Sequence, residues 1–144
     1  MLLVLTALAW RPRGVGRALG IGVVLAVLAY LHGQRIVHRD VKPSNLLVAE
    51  DGGLKLSDLG LVRSLDRASD LTGTLEGVGT PRFMAPEQLR GRAVDDRSDL
   101  YAVGAVMYEM VTGRLPFEGE TGQTVALAIQ NEEPEPLTAL RSGI

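Results

Sequence analysis

The residues best equipped for chemistry fall in one octet, His38-Arg39-Asp40-Val41-Lys42-Pro43-Ser44-Asn45, and in the triplet Asp58-Leu59-Gly60 that begins thirteen residues after Asn45. Together they bring two carboxylates, an amide and a lysine. Carboxylate and amide oxygens are hard ligands suited to Mg²⁺, which takes one or two protein ligands and completes its shell largely with phosphate oxygens and water. A lysine beside that ion can neutralise a phosphoryl group in transfer, and a second carboxylate can orient an attacking hydroxyl. The combination suits phosphoryl transfer.

Such groups need rigid supports. Ala18 to His32 reads as one helix, apolar on nearly every face and therefore buried on most sides. Ile36-Val37, Asn45–Val48 and Leu54–Leu56 read as short strands, and Glu50-Asp51-Gly52-Gly53 between the last two is a hairpin turn signal. No helical or alternating pattern persists from Asp58 to Glu87, and structureless stretches of that length in compact domains are usually functional or disordered. A second apolar helix is expected from about Asp99 to Thr112, with Ser98 and Asp99 at its start and Gly113 as C-cap. Thr121–Gln130 reads as a shorter, more exposed helix.

Octet and triplet resemble the protein-kinase catalytic loop, H-R-D-L-x-x-x-N, and the D-F-G motif, and Ala85-Pro86-Glu87 resembles the A-P-E that follows them. All three stand in the family's order. The resemblance implies an α+β fold, the large C-terminal lobe of a eukaryotic-like Ser/Thr protein kinase of bacterial type. Such a lobe is mostly helical, with short β-hairpin strands at the active site. It covers about Arg17 to Ile144 and leaves residues 1–16 as an ambiguous apolar, Arg-containing leader. By resemblance Asp40 is the catalytic base, and Lys42 is the lysine aimed at the γ-phosphate of ATP. Asn45 and Asp58 are the Mg²⁺ ligands, and Leu47 lies under the adenine ring. Thr80 resembles the threonine that bonds the catalytic Asp and Lys. Asp99 resembles the carboxylate that holds the catalytic-loop backbone. His38 is structural. Arg39, with Arg63 beside it, is placed to receive a phosphate on Thr72 or Thr74. Val41 and Leu59 depart from the family pattern in size, not in charge.

Several residues carry plainer expectations. His32, at a helix end, is read as a cap or surface residue, and Phe83 and Met84 as packing groups. Gly14-Val15-Gly16 and Gly20-Ile21-Gly22 are set aside as phosphate loops because no strand precedes them.

The chain has 144 residues, 46% of them apolar and 22% charged, which is ordinary globular composition. A net charge of −2 gives no electrostatic reason for nucleic-acid binding. With no cysteine there is no disulfide or zinc–thiolate site. The apolar runs Met1–Trp10 and Leu19–Leu31 are each shorter than the ~20 residues of a membrane span. A cytoplasmic location is expected.

Upstream of Asp40 there is no lysine, glutamate or aspartate, so the small lobe's Lys–Glu pair that anchors ATP in the family has no counterpart here. This chain alone is therefore expected to be inactive and to need a small lobe or partner kinase. The family also continues beyond the equivalent of Ile144, so Glu87 is expected to lack its arginine and the helix at Asp99–Thr112 to expose one apolar side. Two functions follow. One is a catalytic-domain fragment of an enzyme that transfers the γ-phosphate of ATP to protein Ser/Thr. The other is a non-catalytic kinase-like module whose surface, Gly79–Ala85 with Thr121–Gln130, binds a peptide substrate or partner kinase.

Overall fold

The computed structural model describes residues 3–4, 15–48, 54–57 and 81–140. Its elements run β1 (Leu3–Val4), α1 (Val15–Gly33), a 3₁₀ turn (Pro43–Asn45), β2 (Leu46–Val48), β3 (Leu54–Leu56), α2 (Pro86–Leu89), α3 (Asp96–Thr112), α4 (Gly122–Asn131) and α5 (Leu137–Leu140). The three strands form one antiparallel sheet in the order β1-β2-β3. Leu46, Leu47 and Val48 face Leu56, Lys55 and Leu54, as expected for the hairpin. β1, in the leader left unassigned by the sequence, pairs Leu3 with Val48 and Val4 with Leu47.

α1 buries Val24, Leu28 and Leu31, spaced four and three residues apart on one face. They meet Val41 of the His38–Asn45 octet, Leu46 of β2 and Ala102, Val103 and Val106 of α3 in one core. Burying a side chain such as Leu28 is worth roughly 1.5–3 kcal/mol. The residue types therefore lash the active-site loop between two helices. A second, smaller core joins Phe117 to Val125, Ala128 and Ile129 of α4, with Leu89 and Tyr101 against it.

Ile36-Val37 is not a strand. The Ile36 N–H turns back to the Leu31 carbonyl at 2.9 Å, and the Arg35 N–H bonds the His32 carbonyl at 2.9 Å. Arg35 itself has φ +61°. This is a Schellman closure of α1, with an arginine in the left-handed position that glycine usually takes. The N–H groups that a strand would have offered are spent on the helix end.

α3 begins three residues before the expected Asp99. Asp95 is the N-cap, its carboxylate accepting the Arg97 N–H, and this moves Asp99 inside the helix. Gly113 ends it at φ +76°, as its sequence position suggested. As expected, α3 leaves one apolar side uncovered. Leu100 and Met107 are 49% and 44% exposed, with Gly104 on the same side, so one apolar face is open among the described residues. α4 starts with a reciprocal cap: Thr121 Oγ1 accepts the Thr124 N–H and Thr124 Oγ1 accepts the Thr121 N–H, each at 3.1 Å. No helix among the described residues is long and apolar enough to cross a membrane.

Candidate active site

The octet leaves α1 through the Schellman turn and runs in irregular conformation into the 3₁₀ turn that carries Asn45. Pro43 starts that turn, where its fixed φ is already suitable and no N–H is needed. Asn45 is 4% exposed, and its Nδ2 donates to both the carbonyl oxygen (2.7 Å) and Oδ2 (2.9 Å) of Asp40. With the amide nitrogen so engaged, the carbonyl oxygen of the side chain is left to act as a ligand. Lys42 Nζ lies 2.8 Å from the same Asp40 Oδ2. Both side chains of that pair are about a third exposed, so the contact positions more than it stabilises. The β2–β3 hairpin supports the turn from behind, with the Ser57 N–H and Oγ donating to the Asn45 carbonyl at 2.8 and 3.2 Å.

Asp99 is fully buried on the first turn of α3, where the helix N-terminus favours negative charge. Its Oδ2 accepts from the His38 N–H at 2.8 Å and its Oδ1 from the Arg39 N–H at 2.7 Å. A buried carboxylate is tolerable only when so partnered. Arg39 sits at φ +67°, a left-handed backbone that costs a non-glycine residue about 1–2 kcal/mol. His38 Nδ1 lies 3.3 Å from the Asp40 N–H, which places the ring proton on Nε2. That nitrogen is buried and has no hydrogen-bond partner among the described residues.

Three contributors escaped the sequence reading. His32 is neither a cap nor a surface residue: its Nε2 is 2.7 Å from Asp99 Oδ2 and its side chain is 15% exposed. A histidine in the last turn of a helix gave no signal of a partner sixty-seven residues away. Ser98, read only as a helix-start residue, donates its hydroxyl to Glu87. Glu87 therefore accepts a hydrogen bond from Ser98, and no arginine or lysine pairs with it among the described residues. Gln88 uses both ends of its amide: Oε1 accepts the Ala85 N–H and Nε2 donates to the Arg39 carbonyl, each at 2.9 Å.

The structure thus brings together His38, Arg39, Asp40, Lys42, Asn45 and Asp99, with Leu47 half-buried on the adjoining strand β2. Asp58, Arg63, Thr72, Thr74 and Thr80 lie outside the described residues. The docking surface suggested by the sequence is partly described. Pro81 is buried and its Cδ would lie 3.3 Å from a Cβ on Gly122, so the chain before α2 rests on the start of α4. Phe83 packs against the first core, as expected of a packing group.

Two groups nearby are shifted by burial. The Tyr101 phenol is pushed up to about 12, by burial and then by the Glu87 carboxylate, and its hydroxyl is buried without a hydrogen-bond partner among the described residues. The Glu109 carboxyl is raised by burial, partly offset by Arg82, and one of its oxygens is buried with no hydrogen-bond partner among the described residues.

A family model described as the protein kinase domain matches residues 18–139. A probable serine/threonine-protein kinase (CE0033) of Corynebacterium efficiens is 49% identical over 106 residues, spanning 73% of this chain and 16% of its own. The probable kinase PknB of Corynebacterium glutamicum is 46% identical over 114 residues, 78% of this chain and 18% of its own. PknB of Mycobacterium tuberculosis is 39% identical over 118 residues, 81% and 19%. The chain spans less than a fifth of the length of these curated relatives. With its catalytic-loop geometry and this match over most of its length, the chain belongs to the protein kinase domain family, with bacterial Ser/Thr kinases among its relatives.

Proposed function

We propose that this chain supplies the catalytic loop of a Ser/Thr protein kinase that moves the γ-phosphate of ATP to a protein hydroxyl. The observation that carries this reading is the convergence of Lys42 Nζ and Asn45 Nδ2 on Asp40 Oδ2, in a loop whose backbone is held by buried Asp99.

Asp40 keeps one carboxylate oxygen clear of those two contacts, and that oxygen accepts the proton of the substrate hydroxyl as it attacks. Lys42 moves from Asp40 towards the transferring phosphoryl group and offsets its charge. The Asn45 side-chain oxygen, with Asp58, would hold Mg²⁺. When bound, that ion neutralises and orients the ATP phosphates. The donor set fits: a hard oxygen, oriented by the engagement of its own amide nitrogen, on a rigid turn. By the resemblance, Thr80 would bond Asp40 and Lys42, and Leu47 would support the adenine. Arg39 and Arg63 receive a phosphate on Thr72 or Thr74, which would bring about two negative charges to the loop. The substrate peptide lies along Gly79–Ala85 and α4.

The test fuses this chain behind small-lobe sequence from the Corynebacterium efficiens relative. Transfer of labelled phosphate from ATP to Ser/Thr in an acceptor protein is then measured. Incorporation that is lost in Asp40→Asn and in Asp58→Ala is expected. A folded fusion that transfers nothing but binds acceptor peptide would instead support the non-catalytic binding module.

A further inference from the structure

Both backbone polar groups of Arg39 are spoken for by residues far away in sequence. Its N–H goes to Asp99 on α3 and its carbonyl to Gln88 on α2, forty-nine residues on. Arg39 is also strained, at φ +67°, and it immediately precedes Asp40. A strained residue persists only where its surroundings over-determine it. Asp99 alone fixes one end of the residue. The peptide plane that leads into Asp40 is fixed by the other bond, the one from Gln88.

Gln88 is itself held. Its Oε1 accepts the Ala85 N–H, so the amide cannot swing away without leaving a helix-start N–H unpaired. The network also sets which way the amide faces, because reversing it would place an NH₂ group against an N–H. α2 is only four residues long and fully buries none of them; Leu89 packs against the second core, while Gln88 is held by its two amide hydrogen bonds. Ala85, just before the helix, is fully buried and anchors the segment. Gln88 therefore transmits the position of the Ala85-Pro86-Glu87 segment to the catalytic loop.

We infer that Gln88 is a positioning residue, which fixes the Arg39–Asp40 peptide and so the direction in which Asp40 is presented. The inference rests on the proposed role of Asp40. Position 88 lies just outside the Ala85-Pro86-Glu87 motif, and its neighbour Glu87 is bonded elsewhere, to Ser98.

The test is amide hydrogen exchange by NMR on the 144-residue chain, with α3 backbone amides as internal reference. Two reporters matter: the Arg39 N–H, and the Asn45 side-chain NH₂ that bonds Asp40. In Gln88→Met, which keeps the length of the side chain, both reporters should exchange about tenfold faster relative to α3. Unchanged exchange at both, or an equal acceleration throughout α3, overturns the inference. The second variant, Gln88→Glu, keeps an acceptor for Ala85 but lacks the donor while ionised. It should behave like Gln88→Met at Arg39 near neutral pH. On acidification its protonated carboxyl regains an O–H for the Arg39 carbonyl, and exchange should return towards wild type. Wild type carries the same His32, His38, Asp40, Glu87 and Asp99, so the ratio of variant to wild type isolates residue 88. A ratio that does not change with pH also overturns the inference. None of these readouts needs phosphate transfer, so an inactive fusion would count against the proposed reaction and leave this measurement to decide on Gln88.

Discussion

His32 Nε2 and Asp99 Oδ2 meet at 2.7 Å, joining the last turn of α1 to the first turn of α3. The active-site octet begins six residues after His32, and its backbone bonds the same carboxylate. One buried side chain thus ties together the helix before the loop, the loop itself and the helix beneath it. Removing it by Asp99→Ala leaves the His38 and Arg39 N–H groups without their partner, and should cost about 3–5 kcal/mol in urea unfolding. His32→Ala leaves the two backbone bonds in place and should cost less, about 1–2 kcal/mol. The double variant should be scarcely less stable than Asp99→Ala alone, because the two share one network. Fully additive losses would show that the contact carries little energy.

Arg35 occupies the left-handed position of the Schellman turn that ends α1. Arg35→Gly relieves a backbone that costs a side-chain-bearing residue about 1–2 kcal/mol, offset by the greater freedom of glycine in the unfolded chain. A net gain of roughly 0.5–1 kcal/mol is expected, read as a higher denaturation midpoint with unchanged slope. A fall in midpoint would mean that the arginine side chain makes compensating contacts.

Tyr101 buries a hydroxyl that has no partner among the described residues, beside Glu87. Tyr101→Phe removes an unsatisfied group and should be neutral or stabilising by about 1 kcal/mol at pH 7. The phenol titrates near 10 when unfolded and at about 12 in the fold. The unfolded state therefore loses that proton first, and stability falls as pH rises from 10 through about 12. Tyr101→Phe should flatten this part of the alkaline stability profile. An unchanged profile would assign alkaline unfolding to other groups.

Glu109 has a carboxyl raised by burial, with one oxygen unpartnered among the described residues. The folded state holds the proton more tightly than the unfolded chain does. Stability is therefore fully present below the ordinary glutamate range and is lost as pH rises through the raised folded value. Glu109→Gln should melt a few degrees higher than wild type at pH 7, with the difference vanishing on acidification. Thermal melts across pH 4 to 7 decide it, and a constant difference would point to altered packing instead.

The proposed chemistry was legible in the sequence because the groups assigned to it lie close together in the chain. Asp40, Lys42 and Asn45 span six residues, and a short turn after a proline is enough to aim their side chains at one another. The strands Leu46–Val48 and Leu54–Leu56 and the long apolar helices were visible for a similar reason, since each is written in local periodicity and turn residues. Element edges were less clear. Asp95, Ser98 and Asp99 are all plausible helix starts, and only the Asp95 carboxylate bonded to the Arg97 N–H shows which one caps. Ile36-Val37 looked like a strand because β-branched residues favour one, but the helix end claimed its N–H.

What holds the loop in place was decided by tertiary structure alone. The resemblance pointed to Asp99 as a backbone anchor, yet His32, Ser98 and Gln88 carry no mark of their roles, because a hydrogen bond across eleven to sixty-seven residues depends on how helices pack. Packing of α1 against α3 brings His32 to Asp99, and the seating of buried Ala85 brings Gln88 to Arg39. The sequence specifies the groups that can react. The direction in which Asp40 points is set only when separate elements close around a strained residue and satisfy both ends of its backbone.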